Sequence, residues 1–149
     1  MKKIFLLSFV SLLVVANHTA QKIVPIQHNV KKYEVLDMTS KGKITWGGYS
    51  EVIAADAAKS ESNGAANTSA IVTALGKNAA FDGKPYAAKL CSEATNGNKD
   101  DWYLPSKEES DAIYAFKDKF NVKERGSIWT STEANATQAI TKYWYSGAF

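Results

Sequence analysis

Asp100, Asp101, Glu133 and Asn135 carry the oxygen atoms a hard cation would need. Calcium takes about six to eight such ligands. These four residues fall short of that number and sit in no calcium-loop pattern, so they read as solvated loop groups and no metal is expected. Cys91 is the sole cysteine, and His28 is the one histidine beyond the first twenty residues. They form no zinc ligand set, and His28, on an N-terminal arm, is poorly placed to act as a base for a cysteine nucleophile. No phosphate-cradling glycine loop or G-x-S-x-G elbow is present. No catalytic residue and no cofactor are therefore expected. The aromatic run Tyr143-Trp144-Tyr145 has more promise. Alternate residues of an extended chain share a face, so an inward Trp144 would turn both tyrosines outward. Ring area and a directional hydroxyl then suit contact with protein or sugar. Tyr143 and Tyr145, with Glu133 and Asn135, are the candidate ligand-binding residues. The competing reading is that the tyrosines complete a second layer of packing.

The segment "DDWYLPSKEESDAI", residues 101–114, holds the other dense cluster of functional groups. Ser106 and Glu109 have the S-x-x-E spacing of a capping box, in which each side chain meets the other's backbone N–H. Pro105 keeps Leu104 extended and marks the boundary. Ala112, Ile113, Phe116 and Phe120 follow at helical spacing, so a helix begins here and the charges flank it. Two earlier helices are predicted. "NTSAIVTALG" starts at Asn67 as N-cap and stops at Gly76. "KPYAAKLCSEA" has Pro85 near its first turn and a stripe of Ala87, Leu90, Cys91 and Ala94, which makes Cys91 a buried small hydrophobe. "KKYEVLDM", "GKITWGG", "GSIWTSTE" and "TKYWYSGAF" read as strands, with a turn at Ser40-Lys41-Gly42 and a loop over "EANATQA". Residues 47–66 read mostly as loop. The order of strands, loop, three helices and strands defines an α+β domain.

The first twenty residues stand apart. Two lysines precede an apolar run from Ile4 to Ala16, and small and polar residues follow. That is the layout of a secretory signal peptide, cut after Ala20. The run is shorter than the roughly twenty residues that span a bilayer, so no stable membrane span is expected after cleavage. The product would be secreted, held at the cell surface or periplasmic. Residues 21–149 form one domain, with 21–32 a loose N-terminal arm. Losing Lys2 and Lys3 lowers the formal charge from +3 to about +1, which gives no electrostatic case for nucleic acid.

Taken together, "ITWGG", "NTSAIVTALG", "YAAKLC", "DDWYLPSKEE", "SIWTSTE" and "AITKYWYSG" resemble, in that order, the bacterial DUF1566 or Lcl C-terminal-like domains. The resemblance runs from about Trp46 to Gly147 and implies a C-type-lectin-like fold of small antiparallel sheets with two or three helices. It implies structural roles for Trp102, Leu104, Pro105, Ser106, Glu109, Trp129 and Trp144, with Glu133 and Gly147 at signature positions. It carries over no calcium motif. The related formylglycine-generating enzymes use a cysteine pair that this chain lacks. The sequence departs from the family at Ser110, where leucine is usual, and at Ile140, often an aromatic. It also ends at "SGAF" where relatives continue into a final strand, so the resemblance implies either a shortened domain or an open C-terminal sheet edge completed by a partner strand. The expected function is an exported bacterial recognition module for a protein or glycan. The alternatives are a structural subunit of an adhesin or pilus-like assembly and an enzyme of unidentified chemistry.

Overall fold

Apolar residues at alternate positions between Ile23 and Val35 build the first sheet. The computed structural model describes residues 2–6, 22–37, 44–47, 53, 56–76, 85–96, 98–120 and 126–149. In it β1 (Lys2–Leu6), β2 (Ile23–His28) and β3 (Lys31–Asp37) lie in the order β1-β3-β2. β2 and β3 form an antiparallel hairpin, from Ile23 opposite Leu36 to His28 opposite Lys31. Asn29 turns the chain at φ 55°, a left-handed conformation that asparagine adopts more readily than most residues. Val24 and Ile26 are buried while Pro25 and Gln27 face outward. Residues 22–32, expected as a loose arm or a short strand, hold the strand β2, its turn and the start of β3. Proline in the middle of the run hid the period-two pattern.

β1 pairs with β3 in parallel, so the first sheet is mixed rather than purely antiparallel. Residues 7–20 of the expected leader and the turn at Ser40-Lys41-Gly42 lie outside the described residues. In β3, Tyr33 and Val35 are buried as the alternation requires, but Leu36 is buried too. The strand is covered on both faces because it separates two hydrophobic clusters. One holds Leu36, Trp46, Ile53, Ile71, Tyr86, Cys91, Trp102 and Leu104, with Trp129 packed against it. The other holds Val24, Ile26, Tyr33, Val35, Tyr103, Ile113, Phe120, Ile128 and Trp144. Trp102 and Leu104 enter the first cluster and Tyr103 the second, as alternate sides of an extended segment demand. Each large apolar side chain so buried contributes about 1.5–3 kcal/mol.

Three helices connect these layers among the described residues. α1 (Gly64–Leu75) begins earlier than expected, with Asn63 as its cap accepting from the Ala66 N–H at 3.1 Å. Asn67 is corrected from a cap to a buried bridge: its amide donates to the Ser60 carbonyl (2.7 Å) and to Ser131 Oγ (3.3 Å), and its Oδ1 accepts from the Ser60 N–H (3.1 Å). Gly76 ends α1 at φ 55°, donating to the Val72 carbonyl. α2 (Ala87–Ser92) follows Pro85, with Cys91 wholly buried. α3 (Lys107–Tyr114) carries both halves of the Ser106–Glu109 capping box and runs on to a 3-10 turn at Lys117–Lys119.

β4 (Ser127–Asn135) and β5 (Gln138–Tyr143) close the chain as an antiparallel hairpin, and the α+β class holds. Irregular register between Trp129 and Asn135 turns the Ser131 N–H to the Pro105 carbonyl and the Glu133 N–H to the Ala58 carbonyl. Two corrections follow from hydrogen bonding. The chain beyond Tyr143 is a turn, not more strand. Residues 44–47 are not a strand either: indole N–H groups fix this stretch in place of ladder bonds, Trp46 to the Thr130 carbonyl and Trp129 to the Ile44 carbonyl, each at 2.8 Å.

Candidate functional site

Two buried carboxylates dominate the segments that looked chemical. Glu109 is 2% exposed. Its Oε2 accepts from the N–H of Ser106 (3.0 Å) and of Gly64 (3.1 Å), and its Oε1 from the Tyr103 hydroxyl (3.1 Å). Gly64 opens α1 and Ser106 caps α3, so one anion serves the positive ends of two helices. Glycine is required at 64, since a Cβ there would lie 2.5 Å from both Glu109 Oε2 and the Leu104 carbonyl. Thr68 adds a second link to the same segment, its hydroxyl accepting from the Leu104 N–H at 3.0 Å. Burial, the Glu109 charge and the hydrogen bond to it together raise the Tyr103 phenol well above its ordinary pKa.

Glu133 is also 2% exposed, and its carboxylate accepts the Ile53 N–H at 3.1 Å. It is therefore corrected from a surface ligand group to a buried brace. Asn135 is exposed, but its Oδ1 accepts from the Thr137 N–H and hydroxyl, each at 2.9 Å, and shapes the hairpin turn. Asp100 and Asp101 are exposed. Among the described residues no three His, Cys, Asp or Glu side chains gather as a metal-holding group. Burial pushes the Cys91 thiol far up from its ordinary pKa, which disfavours the reactive thiolate.

The tyrosines have a different setting. Tyr143 is 52% and Tyr145 77% exposed, while Trp144 between them is 5% exposed. The turn that carries them is braced from beneath. The Trp144 ring meets Tyr114 and Phe120 edge-on, with centroids 5.9 and 6.0 Å away. The Trp144 main-chain N–H donates to the Gly126 carbonyl, that of Gly147 to the Tyr143 carbonyl, and that of Tyr143 to the Ala148 carbonyl. Gly147 is held at φ 71°, where an added Cβ would meet the Tyr114 ring at 2.6 Å. Phe149 folds back over Lys142, whose ammonium sits 4.0 Å from the ring centroid and 2.5 Å from Asp111.

The four candidate ligand residues therefore do not form one site. Tyr143 and Tyr145 share the C-terminal turn, Glu133 faces inward, and Asn135 lies at the other end of the hairpin, about 17 Å away by strand rise. Sequence reasoning missed Phe149, which adds an apolar ring to the same turn at 43% exposure. Its signal was the Lys142 spacing, legible only once the turn is known. Trp102, Leu104, Pro105, Ser106 and Trp144 are buried, and Trp129 is partly so. Comparison with family models, curated proteins and solved structures finds no match for this chain. Its function has to be read from its own geometry.

Proposed function

We propose that this chain is an exported recognition module of C-type-lectin-like fold that binds a protein or glycan through the turn Tyr143–Phe149. One observation carries the reading: two exposed tyrosines flank a buried tryptophan on a turn fixed by main-chain bonds and aromatic packing. A surface ordered before contact loses little conformational freedom on binding, and tyrosine is among the residue types that dominate interface energetics. The signature segments "DWYLPSKEE" and "WTSTE" support the fold, and the apolar run from Ile4 to Ala16 supports export. Nothing in the reading calls for catalysis, because the two carboxylates of those segments already accept main-chain N–H groups.

Glycan and protein arrays probed with the purified chain test the proposal. The expected result is binding that survives chelation and weakens at least about 30-fold in Tyr143→Ala/Tyr145→Ala, as for a two-residue hot spot. Binding unchanged in that variant, or lost with EDTA, would overturn it.

A further inference from the structure

The sequence spells the N-x-S/T acceptor pattern of asparagine-linked glycans three times, at Asn17, Asn67 and Asn135. Asn17 belongs to the expected leader, lies outside the described residues and would leave with that segment. The other two have opposite settings. Asn67 is 0% exposed within α1, and both hydrogens of its amide are taken, by the Ser60 carbonyl and Ser131 Oγ. A sugar on that nitrogen would break one of these bonds and would have to enter the packed interior. Asn135 closes β4 at the turn into β5 and is exposed, as are Ala134, Thr137 and Gln138. Its Nδ2 donates to Gln138 Oε1 at 2.8 Å. An amide nitrogen carries two hydrogens, and the second has no partner among the described residues. Its Oδ1 is engaged separately, accepting from the Thr137 N–H and hydroxyl. A sugar carbon in place of the free hydrogen therefore leaves all three bonds of the turn intact.

We propose that Asn135 is the acceptor of an N-linked glycan, taken from a polyprenyl-diphosphate-linked oligosaccharide by an asparagine transferase after export. The proposal rests on the export reading above and is independent of the tyrosine turn. In the transfer, Nδ2 attacks the anomeric carbon of the donor sugar. A C–N bond forms as the C–O bond to diphosphate breaks, and the electron pair departs with the lipid diphosphate. The amide proton passes to a base of the transferase. Thr137 favours that loss, because its hydroxyl donates to the amide oxygen and draws electron density from the nitrogen. The glycan is bulky and solubilising, and a hairpin tip is where such a group fits. It would stand at the end of the hairpin away from Tyr143, about 17 Å off by strand rise, and leaves the tyrosine turn open.

The test exports the full chain from a bacterium without asparagine glycosylation, and intact mass gives the N-terminus. The folded product is then offered a lipid-linked oligosaccharide and a purified transferase that accepts N-x-S/T. Synthetic peptides of residues 63–71 and 131–141 are treated in parallel. Both peptides are expected to take the glycan. The folded chain is expected to take it at Asn135 and not at Asn67. Enzymatic release in heavy-oxygen water turns the occupied asparagine into labelled aspartate, so the site is read on the native sequence without a variant. Thr137→Ala should lose the modification and Thr137→Ser should retain it, with near-UV circular dichroism confirming that each is folded. An exported product that keeps Met1 overturns the export reading and the proposal with it. A processed chain left bare at Asn135 while its peptide is modified overturns the acceptor site, and export stands. A bare 131–141 peptide overturns it at the level of sequence. Modification of Asn67 in the folded chain, or of Asn135 in Thr137→Ala, also overturns the assignment.

Discussion

Glu109 shows how far a single residue can be read from its neighbours. Its capping partner Ser106 is three positions away, and that half of its role follows from local spacing. Its bond to Gly64 spans 45 positions and depends on how two helices meet, which no local pattern encodes. The same contrast separates Cys91, whose burial follows from a helical stripe, from Asn67, whose amide is claimed by Ser60 and Ser131 in a bulged strand. Two predictions belong to this scale. Gly64→Ala is expected to cost more than about 2 kcal/mol in urea unfolding, because the new methyl displaces a buried carboxylate from its donors. Cys91 should resist iodoacetamide in the folded chain and react at least about 100-fold faster in denaturant, since burial both hides the thiol and raises its pKa. Prompt alkylation of the native protein would contradict the buried assignment.

Elements were legible where periodicity was unbroken and misread where tertiary bonds replaced it. α3 carries its start signal within four residues, and β4 is dense in β-formers. The stretch at Ile44–Gly47 has the composition of a strand, but its register is set by the Trp46 and Trp129 indoles. The residues after Tyr143 have the aromatic composition of a strand, yet past the buried Trp144 they turn outward, with Gly147 at positive φ beneath Tyr114. This element invites a direct test of whether a fixed turn matters for recognition. Gly147→Ala places a methyl 2.6 Å from the Tyr114 ring in a left-handed backbone. It is expected to destabilise the fold by about 1–3 kcal/mol and to alter the near-UV circular dichroism of Trp144. Any array binding should weaken even though both tyrosines remain. Wild-type binding in that variant would mean that turn geometry is irrelevant to contact.

At the scale of the whole molecule, phenols sit where the clusters meet the polar braces, and this gives the fold a pH limit. Burial raises the pKa of Tyr33, Tyr86 and Tyr103, and Glu109 adds to the effect at Tyr33 and Tyr103. An unfolded tyrosine loses its proton near pH 10. The folded chain keeps these protons to higher pH, so above that point the native state binds more protons than the unfolded one. Linkage then requires stability to fall as pH rises. The contribution is fully present below about pH 10 and is lost above it, at up to about 1.4 kcal/mol per pH unit for each phenol still protonated in the fold. Tyr103→Phe separates the causes. It removes a hydrogen bond to Glu109 and should lower stability at neutral pH by about 1–3 kcal/mol. It also removes one titrating group, so the slope of stability against pH above 10 should be shallower than in the native chain. Urea unfolding at several pH values from 7 to about 11 reads both effects. A Tyr103→Phe variant with the same alkaline slope would show that this phenol is not held protonated between the two helix starts, and that Glu109 does not organise the junction as its hydrogen bonds imply.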